Sequence, residues 1–196
     1  MHQGRLVSLP LRLAGWRFEG EKPRDKKYVC IAWPHTSNWD GLLLVALTRS
    51  VGLSISWMIK KEWVSSPLGL ALRPLGAVPI DRSGSHHVVQ DMIDAFAREE
   101  ELVLVIPPEG TRKRSDYWRS GFYRIALGAG VPIVPGYLDY EHKRAGLGEP
   151  IRLTGDVKAD MDAIRAFYGK MQIRAVVPEN VGPIRLRDEE DGSSAR

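Results

Sequence analysis

The chain has 196 residues, 43% of them apolar and 27% charged, which suffices for one domain with a substantial core and falls short of two. Its longest apolar run, residues 42–47, is six long against the ~18–20 that a spanning helix needs, and Pro10 and Arg12 interrupt any leader-like stretch. The net charge of +4 is concentrated: residues 1–27 hold seven Lys/Arg against three Asp/Glu, and residues 110–125 hold five against Asp116, so anionic partners are expected there.

Taken in chain order, the first element is amphipathic. Leu6, Leu9, Leu13 and Trp16 fall at helical spacing, with Arg5, Arg12 and Arg17 nearby. Two roles fit: an interfacial helix lying on anionic lipid, or a lid over the domain's own core. Either tolerates Pro10 only in the first helical turn. Residues 28–33 form a short apolar run ending at Pro34, a buried strand; it contains Cys30, the only cysteine, so no internal disulfide can form. A helix is expected over 40–51, with Ser37, Asn38 and Asp40 as candidate caps. Strands are expected over 54–59 and 78–80, with a short helix over 67–73 between them. Residues 85–100 carry Val88, Val89, Met92, Ile93 and Phe96, a helical stripe. Residues 102–106 are a β-branched strand stopped by Pro107 and Pro108. A helix over 121–130, a strand over 131–138 and a last helix over 161–171 complete the pattern, and residues 187–196 read as a frayed end. Strands alternating with helices imply an α/β fold, a mostly parallel sheet flanked by helices. Ligands collect beyond the carboxyl ends of such strands.

Four blocks carry candidate chemistry. In Pro34-His35-Thr36-Ser37-Asn38-Trp39-Asp40, a histidine leaves a strand and an aspartate opens a helix five residues later. A tight loop can fold that carboxylate onto one imidazole nitrogen and leave the other free as a base, with no serine nucleophile required. Alone, the spacing fits a loop histidine beside a helix cap just as well. Pro108-Glu109-Gly110-Thr111-Arg112 follows a buried strand: Gly110 allows close backbone approach, and Arg112 offers a planar fork for phosphate. Alone, it fits a solvated turn. Arg82 ends Gly76-Ala77-Val78-Pro79-Ile80-Asp81-Arg82, and Val131-Pro132-Ile133-Val134-Pro135 reads as core strand.

In this order the four blocks resemble the lysophospholipid/glycerolipid acyltransferase family, typified by 1-acylglycerol-3-phosphate acyltransferases, over roughly residues 28–140. The resemblance implies a single glycerolipid acyltransferase-like domain over 28–180, between a basic segment (1–27) and a polar tail (181–196). It implies that His35 is the general base and Asp40 its orienter. Ser37, Arg82, Glu109, Gly110, Thr111 and Arg112 would hold the acceptor, and backbone N–H groups near Gly110 would serve the oxyanion. The co-substrate would be acyl-CoA or acyl-carrier protein, the acceptor a lysolipid, with no bound cofactor. Pro34, Pro79 and Pro107 depart from the residues frequent at those places, which leaves the acceptor open. A non-phosphoglyceride lysolipid and an inactive acyl-lipid-binding module remain alternatives. No Gly-x-Ser-x-Gly elbow is present for a serine hydrolase. Adjacent His86 and His87 point about 100° apart on a helix, so no metal site is expected. No nucleic-acid motif occurs, so that partner is not expected. The expected location is cytoplasmic, and peripheral on the inner face of the cell membrane if residues 1–20 form the interfacial helix.

Overall fold

The computed structural model describes residues 8–60, 76–80 and 85–189. In chain order they form α1 (Leu9–Leu13), β1 (Arg17–Glu19), β2 (Lys27–Ala32), α2 (Asn38–Ser50), β3 (Ser56–Lys60) and β4 (Ala77–Ile80). Then come α3 (Ser85–Arg98), β5 (Leu102–Ile106), α4 (Gly121–Ala129), β6 (Ile133–Asp139), β7 (Arg144–Leu147) and α5 (Val157–Gly169).

The apolar runs at 102–106 and 133–139 are buried along their whole length, and β2 is buried at every position but its two ends. This is what a parallel strand covered on both faces requires. Side chains alternate between the two faces. Val29, Ile31, Leu104 and Ile133 pack under α3, α4 and α5 with Met92, Phe96, Phe122 and Met161. Tyr28, Cys30, Val103, Val105 and Val134 pack on the opposite side with Leu47, Leu43 and Leu44 of α2 and Leu11 of α1. The sheet order is β1-β7-β6-β2-β5-β3-β4, and every pairing is parallel except β6 with β7. The fold is therefore a single α/β domain on a mostly parallel sheet, as expected. Strands β5, β2 and β6 lie side by side and point the same way, so their carboxyl ends open onto one place.

Local chemistry adjusts several boundaries. α2 begins at Asn38 rather than 40, because Ser37 caps it and Asp40 completes a reciprocal capping box three residues on. α5 begins at Val157 rather than 161: Asp156 caps it by accepting from Ala159 N at 3.0 Å. Gly130 ends α4 in the left-handed conformation (φ 63°). β1 and β7 were not expected; they are short, and charged residues (Arg17, Glu19, Arg144) mask the apolar alternation. Residues 17–19 thus join the sheet. Residues 181–189 pack on the domain, and the rest of the stretch expected to fray, 190–196, lies outside the described residues. Leu186 is 1% exposed, and Arg165 of α5 pairs with Glu189 at 2.7 Å. Pro10 does sit in the first turn of α1. The helix expected over 67–73, together with Leu6, Arg5 and Arg82, lies outside the described residues. Among the described residues no helix is long and apolar enough to cross a membrane.

Candidate active site

β2 ends at Ala32, and the chain turns through Trp33 and Pro34 to His35. The capping box of α2 then folds Asp40 back over this loop. His35 Nδ1 lies 3.3 Å from Asp40 Oδ2, and the same oxygen accepts from Thr36 N at 2.7 Å and Ser37 N at 2.8 Å. The other oxygen, Oδ1, accepts from the Tyr140 hydroxyl at 2.7 Å. Asp40 is 4% exposed. Burial alone would raise its pKa, but the hydrogen bonds from His35, Tyr140, Ser37 and Thr36 prevail and hold the carboxyl below its ordinary range. The amino end of α2 favours the same charge. Asp40 is therefore a fixed, ionised carboxylate with one oxygen turned to the imidazole. An imidazole that donates from Nδ1 to this carboxylate leaves its other nitrogen, Nε2, facing away from Asp40.

Glu109 follows β5 and reaches the same loop from the neighbouring strand. Its Oε2 accepts the His35 backbone N–H at 3.0 Å, and the residue is 2% exposed. Burial pushes its carboxyl up to about 7; the His35 N–H and imidazole and the Trp33 indole draw it back down in part. The indole is near enough to favour the carboxylate, but neither Trp33 Nε1 nor Glu109 Oε1 makes a hydrogen bond of good geometry. The dry surroundings are aromatic: Trp33 packs edge-on to Tyr168 (4.9 Å) and tilted against Trp118 (6.2 Å). Glu109 is thus placed as a brace under the histidine loop.

The other sequence-predicted residues divide by placement. Ser37 faces its own helix, where Oγ caps Trp39 N at 3.2 Å. Gly110 has φ +65°, and a Cβ there would meet Arg119 Cγ at 2.8 Å, so the turn itself requires glycine. Its N–H is engaged with Pro107 O at 3.2 Å, so this group is not a free oxyanion donor. Thr111 Oγ1 accepts from Lys113 N at 3.2 Å, another turn contact. Arg112 is exposed and donates to Asn38 Oδ1, which ties its guanidinium to the rim formed by the start of α2, where the loop from His35 enters the helix. Tyr140 was not anticipated; the adjacency of β6 to β2, invisible in the linear sequence, brings it in. Among the described residues no group of three or more His, Cys, Asp or Glu could hold a metal ion.

A histidine and a buried carboxylate thus meet beyond the carboxyl ends of adjacent parallel strands. The acyltransferase family model matches residues 16–139, and the chain belongs to that family. It is 24% identical over 176 residues to a 1-acyl-sn-glycerol-3-phosphate acyltransferase of Haemophilus influenzae, covering 79% of this chain and 72% of that protein. It is 30% identical over 132 residues to the enzyme of the same name from Limnanthes douglasii, where the match covers 64% of this chain but spans only 46% of that protein. The crystal structure of the Thermotoga maritima 1-acyl-sn-glycerophosphate acyltransferase PlsC superposes with a TM-score of 0.52 at 16% identity. That match covers 80% of this chain and 72% of that one, and it shows a shared fold.

Proposed function

We propose that this acyltransferase moves a fatty acyl group from acyl-CoA or acyl-carrier protein to the free hydroxyl of a lysophospholipid, with 1-acylglycerol-3-phosphate as the leading acceptor. The observation that carries the reading is the His35–Asp40 contact at 3.3 Å, with Asp40 ionised and buried beside the rim where Arg112 sits. A contact of that length in the free enzyme is within the range that tightens on substrate binding.

His35 Nε2 takes the hydroxyl proton as the oxygen attacks the thioester carbon. The tetrahedral intermediate collapses with cleavage of the C–S bond, and the imidazolium returns its proton to the leaving thiolate. Asp40 stabilises the imidazolium between these steps. Arg112 and Arg82 supply charge for the acceptor phosphate. The exposed Leu9 and Leu13 of α1 (64% and 80%) and Trp39 and Leu42 of α2 (69% and 64%) support delivery of the lysolipid from a membrane surface. The same reading makes the protein peripheral on a membrane, with the inner face of the cell membrane as the proposed location.

The test is thiol release from acyl-CoA and from acyl-carrier protein across a panel of lysolipids. Release that depends on 1-acylglycerol-3-phosphate supports the reading. Release that is the same with no acceptor assigns a thioesterase instead, and no release with any acceptor assigns a binding module.

A further inference from the structure

An aspartate side chain ends in a broad, soft torsion, so a carboxylate that must face one imidazole nitrogen needs hydrogen bonds on both oxygens to hold it. In Asp40 the loop N–H groups of Thr36 and Ser37 grip Oδ2, the oxygen that also faces His35. Oδ1 is held from elsewhere, by the Tyr140 hydroxyl, 100 residues away in sequence. Tyr140 is itself anchored at two points. Its ring stands edge-on to Trp16 (5.4 Å, 88°), and its backbone N–H donates to Arg174 O at 2.9 Å.

We propose that Tyr140 is a positioning residue for the acyl-transfer site: it sets the angle and the charge of Asp40, and through Asp40 the basicity of His35. The proposal rests on the His35–Asp40 reading above. The hydroxyl draws charge from the carboxylate, which moderates how strongly Asp40 holds a proton on His35. Without it, Asp40 turns more freely and presents a fuller charge. Turnover then falls, and the imidazole keeps its proton to higher pH. Glu109, whose Oε2 accepts the His35 backbone N–H, faces the pair, Arg112 is tied to Asn38 at the start of α2, and both are the same in all variants.

The experiment compares the full-length wild type, Tyr140→Phe, Asp40→Asn and the double variant, using acyl-CoA and 1-acylglycerol-3-phosphate over a pH series. Tyr140→Phe keeps the ring against Trp16. It should lower kcat about 10-fold, the size expected for a lost hydrogen bond to a charged group, with KM for both substrates unchanged. The acid limb of kcat should move to higher pH, and the substitution should cost nothing further in the Asp40→Asn background. A 3-fluorotyrosine at position 140, a stronger donor that preserves the packing, should move the acid limb the other way. It serves equally where the Phe variant folds poorly. An impaired Asp40→Asn beside a Tyr140→Phe or fluorotyrosine enzyme with wild-type kcat and pH profile overturns the proposal. So does an equal loss from Tyr140→Phe in both backgrounds. Wild-type kcat in Asp40→Asn itself overturns the dyad reading, and this proposal with it.

Discussion

Glu109→Gln should make the protein more stable at alkaline pH and slightly less stable at acid pH. Glu109 is buried, one oxygen makes no hydrogen bond of good geometry, and its carboxyl is pushed up to about 7 from 4.5 in the unfolded chain. Between those values the folded state binds a proton that the unfolded state releases. Its stabilising effect is full below 4.5 and is lost as pH rises through about 7. The gap corresponds to about 3 kcal/mol of wild-type stability lost on going alkaline. Glutamine removes the charge and can still accept the His35 N–H. It also brings an amide N–H toward the Trp33 indole, a mismatch of roughly 1 kcal/mol. The net expectation is a variant about 2 kcal/mol more stable than wild type at pH above 8 and about 1 kcal/mol less stable than it at pH 4 and below. Urea unfolding of both proteins at matched pH values measures this, because the other titrating groups cancel in the difference. Parallel pH dependences, or a variant less stable than wild type at alkaline pH, would refute the claim that Glu109 is held in a dry site.

Three further outcomes follow from the geometry. Gly110→Ala should cost about 1–2 kcal/mol, read as a lower urea midpoint, because an L side chain at φ +65° is strained and its Cβ drives into Arg119. Arg112→Ala should raise KM for 1-acylglycerol-3-phosphate about 10-fold and leave KM for acyl-CoA alone; an unchanged acceptor KM would remove Arg112 from the acceptor site. Combined Leu9→Asp and Leu13→Asp should reduce flotation of the protein with phosphatidylglycerol vesicles several-fold, and equal flotation would take α1 out of membrane contact.

Much of this was legible in the sequence because buried parallel strands are written as continuous apolar runs. Residues 28–33, 102–106 and 131–138 announce the three central strands, and each is punctuated by a proline or a polar residue that begins the site. The four blocks supplied the family. What local pattern could not show is what the sheet order brings together. Tyr140 reaches Asp40 only because β6 pairs with β2, and Glu109 becomes a brace for His35 because β5 flanks β2 on the other side. Ser37 and Gly110 carried a motif signal, and the structure adds the local geometry that holds them, a helix cap and a left-handed turn. β1 and β7 escaped notice because strands of three and four residues are too short to show a period.

The account stands or falls on His35 as the base. Thiol release from acyl-CoA in the presence of 1-acylglycerol-3-phosphate, measured for wild type and His35→Ala at equal folded concentration, tests it most directly. A loss of kcat of at least ~100-fold, with the melting profile unchanged, is the expected result. Turnover near wild type in His35→Ala would contradict the mechanism.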